Sequence, residues 1–260
     1  MDLEILKYDL IDSFKETVKV SPLETLINVK KLDISVDYFK FYNSVSSVYS
    51  SKIEGENIDF DSYYKHKFLN VKYKPDYTKR TDDLFAAYEF IYKNKLSFKN
   101  LIKAHSILSS NLLPNNQQGL IRSNPMFVIN SQDRIEYVAA EPNIVKSELD
   151  KLFRDIDLVL ASELNDYDIF YFASYIHLVF VKIHPFQDGN GRTARLLEKW
   201  FLIEKLGDKA SSIQLEKNYF QNLDSYYSNI KKLGLEYDTL NYSYCLDFSL
   251  MTVIGLESEI

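Results

Sequence analysis

Cysteine is nearly absent from this chain, and the residues that break helices are scarce. The single Cys245 rules out an internal disulfide and fits a reducing compartment, with packing as its ordinary role. Seven glycines and six prolines in 260 residues leave little material for a turn-rich β architecture and point to a mostly helical chain. No apolar run approaches the roughly 20 residues that span a bilayer, so no membrane role is expected. The acidic start, Met1-Asp2-Leu3-Glu4, lacks the pattern of a cleaved signal. Cytoplasm is the default expectation, alongside a secreted effector exported through a non-cleaved signal. A net charge of −6 argues against nucleic acid as the main partner, because phosphate-backbone binding needs a basic face. The four histidines show no zinc spacing.

What is present is one dense run, His184-Pro185-Phe186-Gln187-Asp188-Gly189-Asn190-Gly191-Arg192-Thr193-Ala194-Arg195. Helix N-termini leave backbone N–H groups unpaired and carry partial positive charge, so Gly189-Asn190-Gly191 leading into a helix builds a concave anion seat. The two glycines let the backbone approach a phosphate closely. Arg192 and Arg195 stand three apart on one helix face, a spacing suited to a di- or triphosphate. Asp188 at the same mouth offers a hard oxygen for Mg²⁺, which is usually shared between one or two carboxylates and substrate phosphates. His184 is the only group of the run that exchanges a proton near neutral pH, and so is the natural general base. Pro185 ends the preceding helix and biases His184 away from helical geometry. Taken singly, each part has an ordinary reading: a hydrogen-bonding histidine, a Gly-x-Gly turn. Together and without a gap they do not, since core packing has no use for Asp, Asn and two Arg in sequence.

The run is similar to the signature of the Fic (Fido) family, His-Pro-Phe-x-Asp/Glu-Gly-Asn-Gly-Arg-x-x-Arg, with every specified position met. The resemblance implies an all-α Fic/Fido fold with a short β-hairpin flap over the active site, and an enzyme that moves AMP from ATP onto a protein hydroxyl. It implies that His184 deprotonates the target hydroxyl and that Asp188 holds Mg²⁺. Gly189, Asn190 and Gly191 then form the anion hole for the α- and β-phosphates, Arg192 contacts the phosphate chain, and Arg195 the γ-phosphate. Upstream, Ser50-Ser51-Lys52-Ile53-Glu54-Gly55 resembles the inhibitory motif of family members with an N-terminal inhibitory helix (class II-like). Carried over, Glu54 pairs with Arg195 and obstructs a productive γ-phosphate pose; the ordinary reading is a solvated helix end with Gly55 as its cap. Glu56 is the lesser stand-in. Tyr226-Tyr227 resembles a pair near the adenine in relatives, which makes Tyr227 a candidate for base stacking, with core packing the competing role.

The resemblance spans about residues 35 to 235. It suggests an N-terminal helical region over 1–76 including the inhibitory helix, a catalytic core over 77–235 and a C-terminal helical tail over 236–260. Helical spacing covers Leu3 to Thr17, and Ser21-Pro22-Leu23-Glu24 opens a short second helix. Further helices run from Asp37 to Ile53, Thr78 to Asn94, Ser97 to Ser110, Tyr167 to Ile183 and Arg192 to Leu206, the last stopped by Gly207. His105 sits within one of these, His66 in a polar segment, and His177 is assigned a core hydrogen bond. Between them Pro125 to Ile129, a polar turn and Ile135 to Val138 read as the hairpin flap, which in the family aligns a target by main-chain pairing. Two other readings of the same site stand beside transfer: removal of AMP from a modified protein, with Glu54 positioning a water, and a silent nucleotide-binding regulatory module. The implied partners are ATP and a protein substrate with a Ser, Thr or Tyr hydroxyl, self-modification included, and the family often forms homodimers. Gly191 favours AMP over the other groups that relatives move.

Overall fold

The computed structural model describes residues 1–28, 37–129 and 132–256. Helices α1 (Ile11–Val18), α2 (Pro22–Asn28), α3 (Tyr38–Ile53), α4 (Phe60–Leu69), α5 (Pro75–Lys93) and α6 (Phe98–Leu108) precede a hairpin of β1 (Phe127–Ile129) and β2 (Ile135–Val138). Helices α7 (Pro142–Ala161), α8 (Asp166–Ile183), α9 (Asn190–Leu206), α10 (Leu215–Gln221), α11 (Leu223–Lys231) and α12 (Leu246–Ile254) follow. The helical fold with one small antiparallel hairpin is the one the sequence led us to expect.

Helix α8 is the axis of the molecule. Asn165 and Asp168 close a capping box at its start, and apolar residues on every side, from Ile169 to Ile183, leave it almost wholly buried. It packs along α9, whose Leu196, Leu197, Trp200 and Phe201 are also buried, and the two helices hold the His184–Gly189 loop between them. Helix α9 ends where expected, at Gly207 with φ 63°.

Helix α3 lies against α5 and α10 and touches α9 through a face of small residues. Ser44, Ser46, Ser47, Ser50 and Ser51 are all buried there. Ser44 and Ser47 satisfy their hydroxyls on carbonyls one turn back, Lys40 and Asn43. Ser46 and Ser51 bond outward to Glu216 and Thr81. Serine is short enough to let the helices approach closely while giving each neighbour a polar contact. Gly55, with φ 84°, turns the chain immediately after Glu54.

The N-terminus departs from the periodicity. Helix α1 begins only at Ile11, and Glu4, Ile5 and Leu6 instead donate their backbone N–H groups to the buried carboxylate of Asp155 on α7, at 2.7–2.9 Å. A long-range acceptor of three N–H groups outcompetes a local helical turn. Helices α4, which contains His66, and α7 carry no marker that the sequence reading used. In the hairpin Phe127 pairs with Val138 and Val128 with Tyr137, and a bulge follows at Ile129. Residues Asn130 and Ser131 of its turn lie outside the described residues. One continuous core joins Phe14 and Ile53 from the N-terminal region, Leu178 and Trp200 from the centre, and Phe248 and Met251 from the tail. Among the described residues no helix is long and apolar enough to cross a membrane.

Candidate active site

His184 caps the C-terminus of α8 in the left-handed region, φ 54° and ψ 59°. That conformation costs a non-glycine residue about 1–2 kcal/mol, and Arg122 supplies compensation. The Arg122 guanidinium is buried and donates from Nε to the His184 carbonyl at 2.7 Å and from Nη1 to the Asn124 carbonyl at 2.8 Å, with Nη2 on the carbonyls of Ala140 and Ile183. One side chain thus ties the end of α8 to both legs of the hairpin. The His184 Nδ1–H points to the Val181 carbonyl at 3.0 Å, which leaves Nε2 as the free acceptor. Burial pulls the imidazole below its ordinary range, against the Val181 hydrogen bond. A neutral ring with an open Nε2 is the form a general base requires.

The loop that follows is braced from within. Asn190 accepts from the Phe186 N–H and donates to the Phe186 carbonyl, both at 2.8 Å, so its amide side chain is committed to the loop. What Asn190 offers an anion is therefore its backbone N–H, which with that of Gly191 heads α9 and has no acceptor within the helix. Gly189 adopts φ 77° as the helix N-cap. A Cβ on Gly191 would lie 2.6 Å from Glu54 Oε1, so only glycine admits that carboxylate. Asp188 is exposed and lines the cavity in front of α9; its Oδ1 accepts from the Gly189 N–H at 2.6 Å. Among the described residues no group of three or more His, Cys, Asp or Glu is placed to hold a metal. A single carboxylate at the mouth of a phosphate seat fits Mg²⁺, which takes most of its remaining ligands from phosphate and water.

The two arginines sit in opposite states. Arg195 is fully buried with a partner on every nitrogen: Nε donates to Ser50 Oγ at 2.9 Å, Nη1 to Tyr226 OH at 3.2 Å, and Nη2 to the Ser50 carbonyl at 3.2 Å and Glu54 Oε1 at 2.6 Å. Arg192 is nearly as buried, yet its Nε has no partner and its Nη2 reaches only Glu56 Oε1 at 3.4 Å. An unsatisfied buried guanidinium nitrogen is costly and marks a place for an anion. Glu56 also pairs with Arg80 of α5. Burial pushes the Glu54 carboxyl up, but the Arg195 and Arg192 charges prevail and hold it below its ordinary value.

These groups surround a cavity of about 660 Å³ that runs from Glu54 and Tyr227 past His184 to the hairpin residues Phe127 and Ile129. A larger cavity of about 940 Å³, bordered by Tyr38, Tyr92 and Asp208, contains none of the motif residues. All nine residues singled out in the sequence line the smaller cavity or adjoin it. The tyrosine pair divides: Tyr226 is in the core, and Tyr227 is 39% exposed on the cavity wall, its hydroxyl donating to the Ile53 carbonyl at 3.2 Å.

Two positioning residues escaped the sequence reading. Arg122 is one. His105 is the other: its ring stacks on Phe186 with centroids 3.6 Å apart, Nδ1 accepts from the Gly119 N–H at 2.9 Å, and Nε2 donates to the Asp188 carbonyl at 3.0 Å. Neither lies near the motif in sequence, and a helical histidine carries no local signal of a loop 83 residues away.

Residues 95–202 match the family model of the Fic/DOC family. Among solved structures, a Fic family protein from Desulfovibrio desulfuricans G20 superposes with a TM-score of 0.69 at 18% identity, covering 95% of this chain and 70% of that one. A Fic domain containing signaling protein from Bacteroides thetaiotaomicron VPI-5482 gives 0.64 at 16% identity, covering 96% and 93%. Fic-1 from C. elegans gives 0.61 at 16% identity, covering 96% and 72%. No curated protein matches the chain. With the motif loop, the hairpin and the helical frame in these positions, residues 95–202 constitute a Fic/DOC family domain.

Proposed function

We propose that this protein is an adenylyltransferase that moves AMP from ATP to a hydroxyl of a protein, and that Glu54 holds it at low activity. The observation that carries this reading is the pairing of a neutral His184, Nε2 open, with an anion seat in which the Arg192 Nε has no partner and Arg195 is occupied by a carboxylate. The target oxygen attacks the α-phosphorus and gives its proton to His184 Nε2. The new P–O bond forms as the bond to the β-phosphate oxygen breaks, and pyrophosphate leaves. Arg192 and the N–H groups of Asn190 and Gly191 stabilise charge on the phosphate chain. Mg²⁺, held by Asp188, neutralises phosphate charge when bound. In this reading Tyr227, on the cavity wall, stacks on the base, and the exposed hairpin strands align the target segment.

Glu54 Oε1 occupies the place on Arg195 that the γ-phosphate would take. Glu54→Gly is therefore expected to raise AMP incorporation by at least about tenfold, the equivalent of 1.4 kcal/mol. His184→Ala in that background should lower it by about 10²–10⁴-fold. Intact mass after incubation with Mg²⁺ and ATP labelled on the α-phosphate reads both. Equal incorporation with and without Glu54 would sink the inhibitory role. A second reading, removal of AMP, rests on Glu54 lining the same cavity as His184, where its carboxylate can orient a water. It requires wild type to strip an AMP-modified target and Glu54→Gly to lose that ability.

A further inference from the structure

Of the partners that hold Arg195, three belong to α3 and its end: Ser50 Oγ, the Ser50 carbonyl and Glu54. The fourth, Tyr226 OH, belongs to α11. Any displacement of α3 that withdraws Glu54 weakens the Ser50 contacts as well. A buried guanidinium stripped of its counterion and acceptors is costly and free to reorient. Tyr226 is then its one remaining anchor.

Tyr226 is itself anchored. A guanidinium only donates, so the Tyr226 oxygen accepts from Arg195, and its own proton is available for His177 Nε2 at 3.0 Å. Nε2 accepts in that arrangement, which places the ring proton on Nδ1, where it is donated to Glu198 Oε2 at 2.6 Å. Burial holds His177 below its ordinary imidazole range, in keeping with a neutral ring. Glu198 receives two further donors, Tyr219 OH at 2.8 Å and Thr252 Oγ1 at 2.7 Å. Both His177 and Glu198 are wholly buried. The donations run one way, from the positive Arg195 through a hydroxyl and an imidazole to the negative Glu198. Each bond in such a chain polarises the next.

We propose that Tyr226, His177 and Glu198 form a fixed relay that keeps Arg195 oriented and charge-compensated once α3 yields, so that a γ-phosphate meets a preset guanidinium. The three are positioning residues for Arg195. This inference rests on the nucleotide reading of the site, since it needs a phosphate on Arg195 to be felt.

The test uses Glu54→Gly full-length protein and titration calorimetry with ATP and with ADP, which lacks the γ-phosphate. Tyr226→Phe, which keeps the ring, should weaken ATP binding by about fivefold or more, and ADP by less than about twofold, through loss of the hydrogen bond that orients Arg195 toward the γ-phosphate. Glu198→Gln, which keeps the shape and removes the charge, should move the ratio in the same direction. A merely structural role would weaken both nucleotides alike or leave both unchanged while lowering Tm, and that result overturns the relay. Failure of the nucleotide reading looks different: the Glu54→Gly parent then binds neither ATP nor ADP. In that event the relay is judged by nitrogen NMR of His177 in wild type near neutral pH. Protonated Nδ1 with bare Nε2 is required, and a proton on Nε2 overturns it.

Discussion

Two imidazoles brace the motif loop, and burial favours the neutral form of each. Burial drives His105 down to about 4, against the pull of the Asp188 carbonyl, and a proton on Nδ1 would displace the bond from the Gly119 N–H. The unfolded chain takes up this proton near the ordinary 6.5, and the folded protein resists it to about 4. Between those values the unfolded state binds more protons, so the stability contributed by neutral His105 is complete above pH 6.5 and is lost as pH falls toward 4. The loss amounts to up to about 3 kcal/mol. Urea unfolding from neutral to mildly acidic pH should show this decline in wild type and a flatter curve in His105→Gln. If His184 is the base as proposed, its lowering by burial should place the acid limb of kcat/KM below the usual imidazole value, and a limb at or above that value would exclude it. Both effects depend on packing partners far away in sequence. The chemistry of the 184–195 run was legible because its residue types are contiguous; the protonation states were not, because Arg122 and Gly119 carry no mark that they converge there.

At the level of elements, α3 is the piece whose placement decides whether Arg195 is free. It is fastened by a buried cluster in which Glu216 of α10 accepts from Ser46 at 2.9 Å and from Tyr88 at 2.6 Å, with Lys199 at 3.6 Å. Glu216→Ala leaves Lys199 buried without its counterion and is expected to cost about 3–5 kcal/mol; the paired change Lys199→Met with Glu216→Leu should cost far less. Denaturant midpoints of the three proteins decide it, and equal losses would mean the pair is not coupled. The long helices α3, α5, α6, α8 and α9 were visible from period and caps: Asp37 and Ser97 accept from N3 amides as cap residues should, and Gly207 stops α9. The stretch before Ile11 was misread because Asp155 gives Glu4, Ile5 and Leu6 an acceptor that no local pattern reveals. Of the two glutamates after α3, the sequence ranked Glu54 first, and it is the one on Arg195; Glu56 has a separate place, between Arg192 and Arg80.

Across the whole molecule, one core includes side chains from the first fourteen residues and from the last described helix. Residues 77–235 taken alone would expose the faces of α5, α9 and α10 that α3 covers and leave Arg195 without Ser50 or Glu54. We expect the full chain to unfold in a single cooperative transition, with circular dichroism and tyrosine fluorescence coincident, and the 77–235 segment to fail to fold. Two separated transitions, or a folded segment, would show instead that the N-terminal region is an independent module. The serine face of α3 therefore has a further meaning. If Glu54 acts as proposed, the helix that blocks Arg195 also completes the core, and cutting it away would unfold the protein rather than switch it on. On that reading activation would have to shift α3 in place, far enough to break the 2.6 Å contact of Glu54 with Arg195, and the contact would re-form once the shift ends.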